Sequence, residues 1–284
     1  MKIFLTSAIL CLSFFSNAQY YYSDIIGTKE TAAILRLYQQ NKVSRVVLNS
    51  FDADGMKSEG FYVDQVFSPS AQTLKTTTRS GVANESILTT YLNVKGEVIK
   101  TIDSTVALVT TALYNYNATG QLNSILSASK DSTIAITQTE EHKWEYEGDR
   151  VLRMLRIKNS IDTSIVQFKI DGNGNVIEET SVRKGVKPEP VLYYYDGQNR
   201  LTDVVRFNNK ARRLLPVFMF EYSTSNQLIQ KITIPHNSSD YLIWRYQYGA
   251  NGLKIREAVY NKQKELRAKL EYQYVFAQAP IPSG

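Results

Sequence analysis

Only two imidazoles are available for acid–base or metal chemistry, His142 and His236. His142 stands beside Glu140 and Glu141 ahead of a strand, and His236 follows Pro235 in a polar loop. A catalytic triad needs a nucleophile, a base and a third group that orients the base. No G-x-S-x-G elbow supplies the nucleophile, and neither histidine stands in an H-x-x-x-H spacing. Both read as ordinary loop or strand-edge residues. The adjacent carboxylates Glu140-Glu141 and Glu178-Glu179 would point to opposite faces of a strand. Asp196 with Asp240 is a distant pair that nothing selects. Asp171-Gly172-Asn173-Gly174-Asn175 starts like a calcium loop, but Val176 stands where glycine is needed and Val182 where glutamate belongs. Turn chemistry accounts for the run. The expectation is no catalytic residue, no metal site and no cofactor.

The aromatic residues are the better lead. The chain has 19 Tyr. Tyr193-Tyr194-Tyr195 places rings on both faces of a strand, and Tyr222, Trp244, Tyr246 and Tyr248 continue the rows. Such rows serve as cross-strand ladders or, where uncovered, as flat surfaces for sugar rings or a protein partner. These seven residues are the candidate binding positions.

The elements that would position them follow from period and punctuation. Residues 28–41 have helical spacing through Ala32, Leu35 and Tyr38, with Thr28 as a cap. From Val43 the pattern changes to period two. Tyr193-Tyr194-Tyr195-Asp196-Gly197-Gln198-Asn199-Arg200-Leu201 has relatives at Tyr114–Leu122, Trp144–Val151, Phe168–Val176, Phe220–Leu228 and Tyr246–Leu253. The aliphatic residue after each turn recurs about every 25 residues, at Val98, Leu122, Val151, Val176, Leu201, Leu228 and Leu253, with weaker copies at Met56 and Leu74. Each unit reads as a hairpin: two rings on one face, a turn that tolerates positive φ, and a returning strand. A lone hairpin is marginal in water, so neighbours must pair edge to edge.

This pattern resembles the YD repeats of the RHS family, most closely at Tyr193–Leu201, where Tyr195-Asp196 stands for the Tyr-Asp pair. The likeness is a repeat signature over residues 43–276, and most copies lack the Asp. It looks like the small exported YD-repeat-like proteins of Bacteroidetes. Long family members wrap such repeats into a shell around a toxin; nine units are too few for that, and no toxin domain follows. The resemblance implies an all-β stack of antiparallel hairpins in an exported protein.

The expected fold is therefore mainly β: consecutive hairpins in a long, twisted or curled sheet, with one N-terminal amphipathic helix. Residues 1–18 read as a signal peptide, 19–42 as a segment with the helix, 43–276 as the repeat domain and 277–284 as a disordered tail. Some sixteen strands make a sheet roughly 75 Å wide, so the sheet must curl or leave an aromatic strip uncovered. The helix is expected over the first strands, near Val43 to Phe51.

The export reading rests on Lys2, the apolar run Ile3–Phe15 and the ending Ser16-Asn17-Ala18. The one cysteine, Cys11, follows Leu10 inside that run, which disfavours a lipid anchor. The formal charge is +6, with the basic excess after residue 143, notably Lys210, Arg212, Arg213 and then Lys262, Lys264, Arg267, Lys269. Interleaved carboxylates speak against nucleic acid; an anionic envelope polymer or lipid surface suits an exported chain. No later apolar stretch is long enough to span a membrane as a helix. The functional expectation is an exported, non-catalytic binding or scaffolding protein, periplasmic, outer-membrane-associated or extracellular. Its partner would be an envelope protein, a glycan or a lipid. A carrier with a groove in the curled sheet is the alternative, and a hydrolase with distant carboxylates is less favoured.

Overall fold

The computed structural model describes residues 20–81, 84–131, 133, 137–186, 188–235 and 238–277. The segment read as a signal peptide, His236 and the tail from 278 onward lie outside the described residues. A helix, α1 (Ser23–Gln40), leads into eighteen strands. These are β1 (Val43–Asp52), β2 (Phe61–Ser68), β3 (Thr73–Ser80), β4 (Asn84–Leu92), β5 (Val98–Ser104) and β6 (Leu108–Tyr116). Then come β7 (Leu122–Asp131), β8 (Thr137–Glu147), β9 (Arg150–Lys158), β10 (Asp162–Ile170), β11 (Val176–Val182) and β12 (Val191–Tyr195). The last six are β13 (Leu201–Asn208), β14 (Arg213–Tyr222), β15 (Leu228–Thr233), β16 (Leu242–Tyr248), β17 (Lys254–Tyr260) and β18 (Leu266–Phe276).

Each strand pairs antiparallel with the next, and β18 returns to pair with β1, Leu48 opposite Tyr272 and Ser50 opposite Leu270. The sheet is a closed 18-strand barrel with no free edge. This corrects the open, curled sheet and the YD-repeat stack that the resemblance implies. The physical reason lies in the hairpins. At the β6–β7, β8–β9, β10–β11, β12–β13 and β14–β15 turns the last residue pairs with the first of the returning strand, and the register then slips by one. Tyr195 faces Leu201 while Tyr194 faces Asp203, leaving Thr202 as the extra residue. Such bulges bend a strand and increase its twist. Repeated at one end of successive hairpins, they roll the sheet until its edges meet.

The same hairpins carry a tyrosine ladder on the inner face. The hydroxyl of Tyr116 donates to the Val98 carbonyl (2.9 Å), Tyr146 to Leu122 (2.7 Å) and Tyr195 to Val176 (2.8 Å). Tyr222 donates to Leu201 (2.9 Å), Tyr248 to Leu228 (2.8 Å) and Tyr274 to Lys254 (2.7 Å). In every case the acceptor opens the preceding odd-numbered strand. Leucine or phenylalanine would fill the same space without tying the strands.

The helix runs through the lumen, where it meets β1 as expected but also the opposite wall. It touches strands from all sides: Tyr22 meets Phe168 on β10 and Tyr193 on β12, and Tyr38 meets Phe67 on β2 and Tyr274 on β18. Only an element inside the barrel can do so. It starts five residues earlier than the sequence suggests, and Thr28 is a mid-helix residue whose hydroxyl donates to the Asp24 and Ile25 carbonyls. No side chain of its own caps it. Instead Glu179, fully buried on β11, accepts from the backbone N–H groups of Tyr21 (3.0 Å) and Tyr22 (2.9 Å) and from the Tyr193 hydroxyl (2.6 Å). A carboxylate is favourable where helix N–H groups lack partners. Burial still pushes the Glu179 carboxyl up, against the pull of these three donors.

A second lock uses His142, which is not a loop residue but lies within β8, facing inward and buried. Its Nδ1 lies 2.6 Å from Asp24 of the helix and its Nε2 2.9 Å from Glu140, which Arg156 holds with two bonds. Two carboxylates on the two ring nitrogens require an imidazolium, since both nitrogens must donate. Burial alone would lower the His142 pKa, but Asp24 and Glu140 outweigh it and raise it to about 9. Burial likewise opposes ionisation of Glu140, yet His142 and Arg156 bring it down to about 2.

Two outcomes follow. Tyr248→Phe should cost about 1 kcal/mol in urea unfolding, whereas Tyr194→Phe, on the outer face, should leave stability unchanged. For the lock, a histidine pKa raised on folding stabilises fully below pH 6.5 and is lost as pH rises through 9. Wild-type protein should thus lose on the order of 3 kcal/mol between those limits, and His142→Gln should lack that limb of the stability–pH curve.

Candidate functional site

A round barrel of eighteen strands about 4.8 Å apart and tilted about 40° is about 35 Å across. A helix with its side chains is about 10–12 Å wide. One helix cannot fill such a lumen, even against large rings. A cavity of about 770 Å³ lies between the N-terminal half of α1 and the inner face of β12 to β15.

Its walls have two characters. Tyr20 and Tyr22 from the chain entering the helix, and Tyr195, Phe218, Phe220 and Tyr222 from the barrel, supply rings. Phe218 and Phe220 lie nearly parallel, centroids 6.3 Å apart. The same space receives Glu30 and Lys29 from the helix, Lys231 from β15, Arg200 from the β12–β13 turn and the amides of Asn175, Asn199 and Asn226 at the rim. Asn199 and Asn226 have positive φ, 59° and 62°, the turn conformation that asparagine tolerates.

The polar groups differ in how far they are engaged. Arg200 is committed: its guanidinium holds Asp196 (2.7 Å) and the Ser223 carbonyl (3.1 Å), and its flat face lies 4.8 Å from the Tyr222 centroid. Glu30 and Lys231 form no ion pair or hydrogen bond among the described residues. Lys231 rests over the Phe218 ring at 5.2 Å and the Phe220 ring at 5.8 Å. Burial pushes the Lys231 ammonium down, with Glu30 pulling it back. Burial pushes the Glu30 carboxyl up, against Lys231 and Lys254. Glu30 is nevertheless solvent-exposed. It is walled in but wet, which marks an enclosed aqueous space rather than packed core.

The seven residues singled out from the sequence are dispersed. Tyr195 and Tyr222 line the cavity. Tyr194 stands on the outer face, 50% exposed. Tyr193 is committed to Glu179, Trp244 donates to Thr233 (3.3 Å), Tyr246 carries the Lys254 ammonium 4.5 Å above its ring, and Tyr248 belongs to the ladder. The sequence reading missed Tyr20, Tyr22, Glu30, Phe218 and Lys231. The signals were present: Phe218-Met219-Phe220-Glu221-Tyr222 is an aromatic triplet at period two, and Tyr20-Tyr21-Tyr22 adjoins the expected cleavage site.

Chemically, the site can stack a flat or pyranose-like ring, donate and accept hydrogen bonds, and offer the Glu30 carboxylate and the Lys29 and Lys231 ammonium groups. His142 holds its protons between two carboxylates and has no lone pair for base chemistry. The Asp171 carboxylate accepts from the N–H groups of Asn173 and Asn175 in its own turn (both 2.9 Å).

No family model matches the chain, and no curated protein does. Among solved structures, a porin-like protein from Bacteroides uniformis is similar at a TM-score of 0.38 and 11% identity, over 83% of this chain and 97% of that one. A TcdB2-TccC3-Cdc42 structure is similar at a TM-score of 0.33 and 13% identity, over 78% of this chain and 14% of that one. At these scores neither likeness carries an argument about this chain, and the reading below rests on its own geometry.

Proposed function

We propose that the protein is an exported, non-catalytic binding protein of the cell envelope, and that the cavity beside the lumen helix seats a small glycan. The observation that carries this reading is a cavity of about 770 Å³ lined by four wall aromatics and, among the described residues, three charges without an ion pair, Lys29, Glu30 and Lys231. Ligand pockets usually measure about 300–1,000 Å³ and combine apolar faces with a few placed polar groups. A sugar ring uses both, stacking on Phe220 or Tyr222 and hydrogen-bonding to Glu30, Lys231 and the rim amides. An acyl chain would leave these polar groups desolvated without partners, at a cost of several kcal/mol. The glycan reading is therefore favoured over the lipid carrier.

The outer wall supports an aqueous setting for the barrel. Among the described residues no helix is long and apolar enough to cross a membrane. Strands could cross instead, but a barrel in lipid needs an apolar outer band about 25 Å tall. Here ion pairs stand on the outside around the circumference. Arg45 pairs with Asp64, Arg79 with Glu85, Arg153 with Glu145, Lys169 with Glu178 and Arg256 with Glu271. Exposed pairs of this kind add little stability, and they stand among exposed aliphatic residues of the same face, such as Val66, Leu113, Ile165 and Val275; the pairs interrupt any continuous apolar band.

Native mass spectrometry and tyrosine fluorescence of the mature chain with a panel of mono- and oligosaccharides test the reading. A retained saccharide is expected, with Phe220→Ala and Tyr222→Ala each weakening it about fivefold. If an acyl lipid is carried instead, or if no saccharide alters mass or fluorescence, the glycan seat is refuted.

A further inference from the structure

An antiparallel meander places every odd-to-even connection at one end of the barrel and every even-to-odd turn at the other. The cavity reaches the even-to-odd end through Asn175, Asn199 and Asn226. The other end has a different chemistry. Three consecutive connections there expose aliphatic side chains. Ile161 at the β9–β10 turn is 86% exposed, Val186 at β11–β12 69%, and Leu214, just past the β13–β14 turn, 45%. A single exposed aliphatic residue needs no explanation. Three on neighbouring hairpins, roughly 10 Å apart, form a patch at positions where Gly, Asn, Asp and Ser usually stand.

Cations flank these tips. Lys184 precedes Val186 by two residues, and Lys210, Arg212 and Arg213 lead into Leu214. Lys264 stands in the β17–β18 turn of the same end. Among the described residues none of these five has an ion-pair partner, whereas Arg183 and Lys262 nearby are paired with Asp162 and Asp240. Basic clusters fifty residues apart in the chain thus meet at one rim. At the opposite rim Arg200 is paired with Asp196, and the turn cations without an ion pair among the described residues, Lys42, Lys95 and Arg150, stand on separate hairpins away from any such aliphatic row.

We propose that this rim docks on an anionic lipid surface. The aliphatic tips enter the headgroup layer while the unpaired cations face lipid phosphates. The two features reinforce each other only there: basic residues near an anionic membrane contribute about 1 kcal/mol each, and insertion of apolar tips adds a term that salt does not screen. Nucleic acid would use the cations but gains nothing from exposed Ile161 and Val186. The inference is independent of the lumen cavity, since the two features lie at opposite ends.

Co-sedimentation of the mature chain with phosphatidylglycerol–phosphatidylcholine vesicles and with pure phosphatidylcholine vesicles, at about 0.1 M salt, tests it. Binding to the anionic vesicles alone is expected. Replacing Lys210, Arg212 and Arg213 together by Ala should lower partitioning on the order of 100-fold. The pair Ile161→Ser and Val186→Ser should lower it at least about tenfold. Val94→Ser, at the other rim and 90% exposed, should bind as wild type. Circular dichroism checks that each variant keeps its β-spectrum, and the Val94 and aliphatic variants keep the test valid if the triple variant misfolds. Equal or no binding to the two vesicle types overturns the proposal. So does anionic binding that high salt abolishes and that ignores the aliphatic pair. Tighter retention of a short DNA duplex than of vesicles would assign the rim to nucleic acid instead.

Discussion

The pairing of β18 with β1 is the contact on which the other features depend. It joins residues more than 210 positions apart in the chain, Leu48 opposite Tyr272 and Ser50 opposite Leu270. Until it forms, the sheet has two edges and an unfilled inner face. Once it forms, the inner face becomes a lumen that must be occupied. Rings at alternate positions and the helix are the occupants. The helix directly precedes β1 in sequence, so it is tethered at the seam that the last strand closes. Its locks, Glu179 on the Tyr21 and Tyr22 amides and His142 on Asp24, come from strands in the middle of the chain. Contacts this distant in sequence make folding slow, because loop closure precedes their reward.

Local chemistry prepares for that closure. Each bulged hairpin adds twist in the same sense, and each ladder tyrosine ties an even-numbered strand to its predecessor at the same height. One interaction therefore repeats around the wall while the closing contact occurs once. The division explains why the repeat tolerates variation. Ile170 replaces the tyrosine at the β10–β11 turn and keeps the register slip without the hydroxyl. Tyrosine elsewhere serves two demands at once, apolar area for the lumen and a donor for a carbonyl at the strand start.

What the sequence made legible follows from this division. Strands and turns are local, and the period of about 25 residues marks the strand starts at Val98, Leu122, Val176, Leu201 and Leu228 and falls one residue inside β9 at Val151. The helix was readable from Ala32, Leu35 and Tyr38, though its start was not, because its cap is Glu179, more than 150 residues away. Closure was not legible: nothing in β1 or β18 alone states that they pair. His142 read as a loop residue because its partner Asp24 lies 118 residues away. Of the cavity, only Tyr195 and Tyr222 were named beforehand; Glu30 and Lys231 belong to separate elements that meet only inside a closed barrel.

The placement of charge in the lumen has a direction. Most interior polar groups are matched: Glu179 by three donors, His142 by two carboxylates, Glu257 by Lys254 and the Tyr272 hydroxyl. Glu30 and Lys231 are the pair held near each other without contact, on the side where β12 to β15 stand away from the helix. Apolar residues there would let the wall and the helix pack together, since well-packed hydrophobic replacements of interior charges are often neutral or stabilising. A protein that keeps charges beside this cavity forgoes that packing. Such concessions concentrate at functional sites, and the cavity, rather than the tyrosine rows as a whole, is where this barrel makes one.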